Sequence, residues 1–582
     1  MISNIFGNEN YYTKMNKPKF NDIPYKRPDI QEFEKEFKTI LTNFKEARTY
    51  EDQANALVEI NAIRTEFSSM NALSYIKYTT DTNNDTFQKE VDYFDGINPI
   101  YHNLIKDYYK ALLASEFKDE HSKKWDGHLI TIAEFVVKGM DDGIVEDLKL
   151  ENQLCSDYTK IKGSAEIEFE GKTYNLPGMV TFENSTDRAI RKKASKAKWA
   201  FFASKSNELD ELFTKLVNVR HKIALKLGYQ SFTELAYVRM GRYDYNQTMV
   251  EDFRNKIVDQ IVPLVTKLKE SQKGRLELDD MYYYDEVIKF KSGNPTPKGD
   301  PEWILGKAKK MYQELSDETG VFFDYMLKYD LLDVINRPGK ADAGYCYEIV
   351  KYGHPFIFAN FNGTTHDIDV LTHEAGHAFQ CFESNHFELP EYQWPTSESA
   401  EIHSMSMEFL TYPWMEGFFE EDTEKYKYGH LAQCLSFLPY GCAVDEFQHL
   451  IYAKPNATPD ERNDMWKQME AKYLPHRKYD PEMPALNEGR FWQKQGHIYE
   501  SPFYYIDYCL AQICAFQFWQ KTNADKNETW KDYLRLCQAG GSKPFQQLTK
   551  LANIKSPFDS GVVKSVTTDI NDYINSIDAS EF

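Results

Sequence analysis

His373, Glu374 and His377 fall in the run VLTHEAGHAFQ, residues 370–380. On a helix, side chains four apart project from one face, so the two imidazoles converge. A zinc ion needs nitrogen donors at about 2.0–2.1 Å, and this pair supplies two of them. Glu374, beside the first imidazole, is placed to take a proton from an attacking water, the division of labour of an HExxH helix. With 14 His in 582 residues, chance would produce such a pattern about 0.03 times. Gly376 costs this helix about 1 kcal/mol relative to Ala, so a close backbone approach opposite it is expected.

A catalytic zinc takes a third protein ligand and keeps one position open. The segment PTSESAEIHSMSMEFLTYP (395–413) offers Glu398, Glu401, His403 and Glu408. Glu401 and Glu408 are two helical turns apart on one face, so one can bind metal while the other orients a ligating imidazole. Spacing alone leaves Glu398, Glu401 and His403 open as the third ligand. Cys381, eight residues past His373, is readable as a thiolate ligand, but a small core residue is the better reading. Farther on, RFWQKQGHIYESPFYYIDYCLAQ (490–512) crowds together His497, Tyr499, Tyr504, Tyr505 and Tyr508. Tyr505 and Tyr508 share a helical face. Phenol and imidazole donors suit an oxyanion forming at an amide carbon; the competing reading is core packing.

Helices must carry most of these groups. Amphipathic spacing predicts helix over 30–65, 85–117, 186–227, 247–275 and 301–318, with Gly228 as a stop after the third and Pro301 starting the last. Strand signals are few. IEFEGKTYNL (167–176) reads as a hairpin turning at Glu170-Gly171, and GYCYEIV (344–350) and PFIFANF (355–361) precede the His motif. The expected fold class is mostly α with a small sheet beside the HExxH helix. The expected division is an N-terminal helical region, 1–190, ending after the hairpin, and a catalytic region, 191–582.

Composition bounds the partners. The 69 Lys and Arg against 90 Asp and Glu leave a net charge of −21, which disfavours nucleic acid and anionic membranes. No apolar run reaches transmembrane length. The start, MISNIFGNENYYTKMNKPKF, lacks the apolar core of a signal peptide, and the end, NSIDASEF, lacks a lipidation box. The 8 Cys include no CxxC pair, which fits reduced, mostly buried thiols and a cytoplasmic location.

The runs FNGTTHDIDVLTHEAGHAF, ESAEIHSMSMEFL and HIYESPFYYIDY together resemble the oligoendopeptidase F family of thimet-oligopeptidase-like zinc peptidases. LVNVRHKIALKLGYQSFTELA (216–236) and GGSKPFQQLTKLANIKSPFDSG (540–561) extend the resemblance, which covers about residues 190–570 in order. It implies one zinc ion per chain on His373, His377 and Glu401, with Glu408 behind a ligand and Glu374 as general base. His497 and Tyr508 fall on residues that contact substrate and the oxyanion. Tyr505 falls on a substrate-contacting tyrosine, a role Tyr504 shares as a candidate. The stretch 359–364, with Asn362 and Gly363, falls where the family presents an edge strand to a peptide backbone. The implied fold is an elongated, two-lobed helical body with a deep channel, and the implied reaction is hydrolysis inside short peptides. Removal of C-terminal residues is the rival activity.

Overall fold

The computed structural model describes residues 17–580 and Phe582. Residues 1–16, most of the N-terminal stretch expected to lack a signal peptide, lie outside them. Helix makes up 70% and strand 4%, so the mostly α reading holds. Among the described residues no helix is long and apolar enough to cross a membrane.

The predicted helices form, but four of the five are cut by local chemistry. The first becomes α1 (Ile30–Glu46) and α2 (Tyr50–Thr80). Thr49 accepts from the Asp52 N–H and starts a new helix there. Next comes α3 (Asp85–Leu113), capped by Asn84. Pro99 inside α3 has no N–H for the Asp95 carbonyl, and Asn152 Nδ2 donates to that carbonyl instead at 3.2 Å. Asn152 lies on α4 (Val145–Gly163), so the proline's missing bond becomes a helix–helix contact.

The hairpin follows as β1 (Ile167–Phe169) and β2 (Lys172–Tyr174). Glu170 and Gly171 both have positive φ, 48° and 77°, as a tight two-residue turn demands. Residues 186–227 form α5 (Arg188–Ser204) and α6 (Ser206–Lys226), with Gly228 at φ 83° just beyond. Residues 247–275 form α7 (Gln247–Gln260) and α8 (Val262–Arg275). Pro263 explains that cut, because it cannot donate to the carbonyl four residues back. Similarly, Ser316 caps a new helix and divides the last prediction into α9 (Pro301–Leu315) and α10 (Asp317–Lys328).

A three-stranded sheet then leads into the His motif. Its strands are β3 (Leu332–Ile335), β4 (Tyr345–Ile349) and β5 (His354–Phe361), in the order β3-β5-β4. β5 runs parallel to β3 and antiparallel to β4. All of β5 but Asn360 is buried, as the apolar run from Pro355 to Ala359 requires of a central strand. Four helices then build the site: α11 (His366–Ser384), α12 (Ser397–Leu410), α13 (Thr423–Ala453) and α14 (Tyr505–Ala524). α12 packs between α11 and α14, and β4 and β5 lie against α11.

Candidate active site

α11 is anchored at its start. Gly363 turns the chain at φ 81°, a conformation that favours glycine. Asp367 then accepts the backbone N–H of Asn362 at 2.9 Å and of Gly363 at 2.8 Å. This corrects the expectation for 359–364. β5 is the central strand, and it ends at Phe361. The pairing with β4 ends at Phe358, and beyond it Asn360 Nδ2 donates to the carbonyls of Ala341 and Ala343 in the loop before β4. The N–H groups of Asn362 and Gly363 are taken by their own helix cap. The strands at the sheet's edges are β3 and β4.

The expected approach at Gly376 is present. A Cβ there would lie 2.6 Å from the His403 carbonyl oxygen and 2.6 Å from Ser404 Cα. The backbones of α11 and α12 therefore touch, and only that closeness brings Glu401 and Glu408 to the two imidazoles. Gly376→Ala is expected to cost about 1–3 kcal/mol by overpacking and to weaken metal retention. A thermal melt with elemental analysis checks this; an unchanged melt and full metal would remove Gly376 from the positioning of the site.

Three atoms converge across this contact. Glu401 Oε2 lies 3.2 Å from His373 Nε2 and 3.3 Å from His377 Nε2. Ligand atoms on a tetrahedral zinc at about 2.1 Å sit about 3.4 Å apart. His373 Nδ1 is 2.7 Å from Glu408 Oε1. Donating there, a neutral His373 turns its Nε2 lone pair toward the Glu401 carboxylate. That arrangement is satisfied by a proton or by a cation between the atoms, and the donor set of two imidazoles and a carboxylate suits zinc. Glu401 is 1% exposed and His377 6%. Burial alone would raise the Glu401 carboxyl, but His377 and His373 outweigh it and hold it well below the usual range. Burial likewise opposes charge on His373, and its bonds to Glu401 and Glu408 raise it well above an ordinary imidazole.

Glu374 is buried beside them, with Oε2 free of any hydrogen-bond partner. Burial pushes its carboxyl up, and the two histidines only partly offset this. A buried carboxylate with a raised affinity for protons, next to residues that could hold a metal, has the character a general base needs.

The other two candidates for third ligand lie outside the cluster. Glu398 accepts from Thr396 Oγ1 at 2.9 Å, and burial followed by the charge of Asp507 raises it well above the usual range. His403 is fully buried and pushed down to about 4 by burial, with its ring against Tyr533. Cys381 is a buried free thiol, raised by burial and then by Glu348.

The aromatic cluster faces Glu401. Tyr504 donates to Glu401 Oε1 at 2.5 Å. The Tyr508 hydroxyl lies 3.2 Å from His497 Nε2, and Gln495 Nε2 is 2.9 Å from His497 Nδ1. Burial pushes His497 down to about 4, so its ring is neutral. Burial first, then Glu401, raises Tyr504 and Tyr508 well above an ordinary phenol, so both keep their protons. Tyr505 stacks edgewise on Tyr440 and tilts against Phe437.

Two supports escaped the sequence. Ser404 Oγ donates to Glu401 Oε2 at 2.8 Å, visible only as a serine three residues on. His430 Nε2 is 2.7 Å from Glu408 Oε2, and its Nδ1 is 2.6 Å from the Tyr412 hydroxyl. Nothing in the sequence around His430 in α13 ties it to Glu408.

The sequence pattern described as peptidase family M3 matches residues 181–568, and that of the peptidase M3 N-terminal domain matches 20–140. A solved structure of Pz peptidase A is 50% identical, with a TM-score of 0.96 over 97% of this chain and 100% of that one. A structure from Bacillus anthracis str. Ames, described as an oligoendopeptidase F, is 47% identical, with a TM-score of 0.92 over 98% and 100%. An oligoendopeptidase F homologue of Mycoplasma genitalium is 20% identical over 418 residues, 67% of this chain and 66% of that one. With a family pattern spanning most of its length, the chain belongs to peptidase family M3.

Proposed function

We propose that the protein is a zinc-dependent endopeptidase that cuts internal bonds of short peptides. The observation that carries this is the convergence of His373 Nε2, His377 Nε2 and Glu401 Oε2 beside the unpaired Glu374 carboxylate. Those three residues would hold the metal, which when bound supplies a Lewis acid and makes water acidic enough to attack near neutral pH. Glu408 fixes the tautomer of His373, and His430 steadies Glu408 in turn.

Glu374 takes the proton of the attacking water and later delivers it to the departing amine. The Tyr508 hydroxyl donates to the oxygen of the tetrahedral carbon as negative charge gathers there. His497, neutral, accepts or donates at the same edge of the site and keeps Tyr508 in place. Tyr504 and Tyr505 line the approach of the peptide. Eight free cysteines support work in a reducing cytoplasm. Mass spectrometry of a peptide mixture, with and without chelator, tests the reading. Internal cuts that stop with chelator support it. Stepwise loss of C-terminal residues would favour the rival.

Tyr508→Phe deletes one hydroxyl and keeps the ring. It is expected to fold, retain zinc, keep a KM near wild type and lose turnover by about 10²–10³, because the donor acts chiefly in the transition state. Steady-state kinetics beside Tyr504→Phe and Tyr505→Phe checks the assignment. A normal turnover for Tyr508→Phe with a large loss at Tyr504 would move the role to Tyr504.

A further inference from the structure

A cavity of about 430 Å³ borders the site. It merges with a second of about 270 Å³, since Asn184, Lys269, Glu286 and Gln433 line both. Phe437 and Tyr440 of α13 form one wall, and both rings touch Tyr505 at 5.6 and 5.7 Å. Asp369 forms another, one turn before His373 on α11. A peptide held at the metal cluster would therefore reach the cavity within a few residues.

The wall carries three lysines that form no direct ion pair with a carboxylate among the described residues, in a chain of net charge −21. Among the described residues, Lys494 Nζ meets the Tyr283 hydroxyl, at 3.2 Å, and the faces of Phe491 and Tyr283. Lys269 Nζ meets Gln272 Oε1 at 3.1 Å and the Glu286 carbonyl at 3.4 Å. Lys289 Nζ meets Gln433 Oε1 at 2.8 Å. The acids nearby are engaged elsewhere. Glu286 is gripped by Arg477 through two bonds of 3.2 and 3.0 Å, and Glu183 by Lys198 at 2.8 Å. Asp369 accepts from the Tyr426 hydroxyl at 2.9 Å. Burial lowers Lys494 to about 7 and Lys269 to about 8, so the fold itself does not stabilise their charged forms.

We propose that this cavity is a subsite for a carboxylate of the bound peptide, held by Lys494, Lys269 and Lys289. An anion there supplies a direct ion partner to half-buried ammonium groups that have none among the described residues. The carboxylate is either an acidic side chain or the free C-terminus. The inference rests on the peptidase reading for its ligand.

The test uses one peptide sequence in four forms: Glu or Gln at a position beyond the cut, each with a free or amidated C-terminus. The wild-type enzyme is expected to prefer a carboxylate-bearing form by about tenfold in kcat/KM, chiefly through KM. Lys494→Met with Lys269→Met should bring that ratio close to one, and Lys494→Arg should keep it. Dependence on amidation identifies the C-terminus as the source, and dependence on Glu identifies the side chain. Fluorescence anisotropy of the same labelled peptides, with chelator present, reads the preference without turnover. A carboxylate preference in binding with no cleavage would sink the peptidase reading alone. Equal binding of all four forms, or a preference that survives the double substitution, overturns the subsite.

Discussion

Glu374→Gln is expected to keep its zinc and lose turnover by about 10²–10⁴. Glutamine has nearly the same shape, and Glu374 is no member of the ligand cluster. Metal content and fold should therefore survive. On the proposed mechanism the amide cannot accept the proton of the attacking water, so the base is lost while substrate binding stays in place. The carboxyl is buried and its Oε2 is unpaired, so replacing it with a neutral group strands no ion partner. That makes a loss of rate hard to attribute to unfolding. Elemental analysis beside steady-state kinetics reads both quantities. Zinc lost in step with activity would make Glu374 a structural group, and an unchanged rate would give the base to another residue.

Glu401→Ala is expected to have the opposite signature: zinc and activity fall together, the rate by about 10³ or more. Glu401 Oε2 is the one atom shared by both imidazoles. Ser404 and Tyr504 also donate to this carboxylate, so removing it frees the whole cluster. Two histidines alone make a weak site. Glu408→Ala serves as the comparison. It should loosen zinc by about 10–100-fold, because it orients His373 without being a ligand. A Glu401→Ala protein with full zinc and full rate would transfer the third position to another side chain.

The site was legible where it is local and opaque where it is made by topology. His373, Glu374 and His377 announce themselves through helical spacing, and Gly376 announces the touching helix through its cost in α11. Choosing Glu401 over Glu398 and His403 needed the family resemblance, because all three lie on the same buried helix α12. The structure separates them by direction: His403 faces Tyr533 and Glu398 lies near Asp507. His430 reaches Glu408 only because α13 packs nearby, and nothing in its neighbours along the chain implies that. Strand β3 was missed because Asp333 interrupts its apolar run; Arg337 and Lys340 pair with that carboxylate. The strand at 355–361 was found, but its place at the sheet's centre depends on β3, so the edge role assigned to 359–364 failed with it. Helix existence was readable from periodicity throughout, whereas the cuts at Thr49 and Ser316 came from caps that periodicity overlooks.

The most direct measurement of the central claim is cleavage of an internally quenched peptide blocked at both ends, followed through chelation and zinc addition with metal counted per chain. The account predicts one zinc per chain, cutting at an internal bond, loss of that cutting with chelator, and its return with stoichiometric zinc. Full cleavage by protein shown to be free of metal would contradict it.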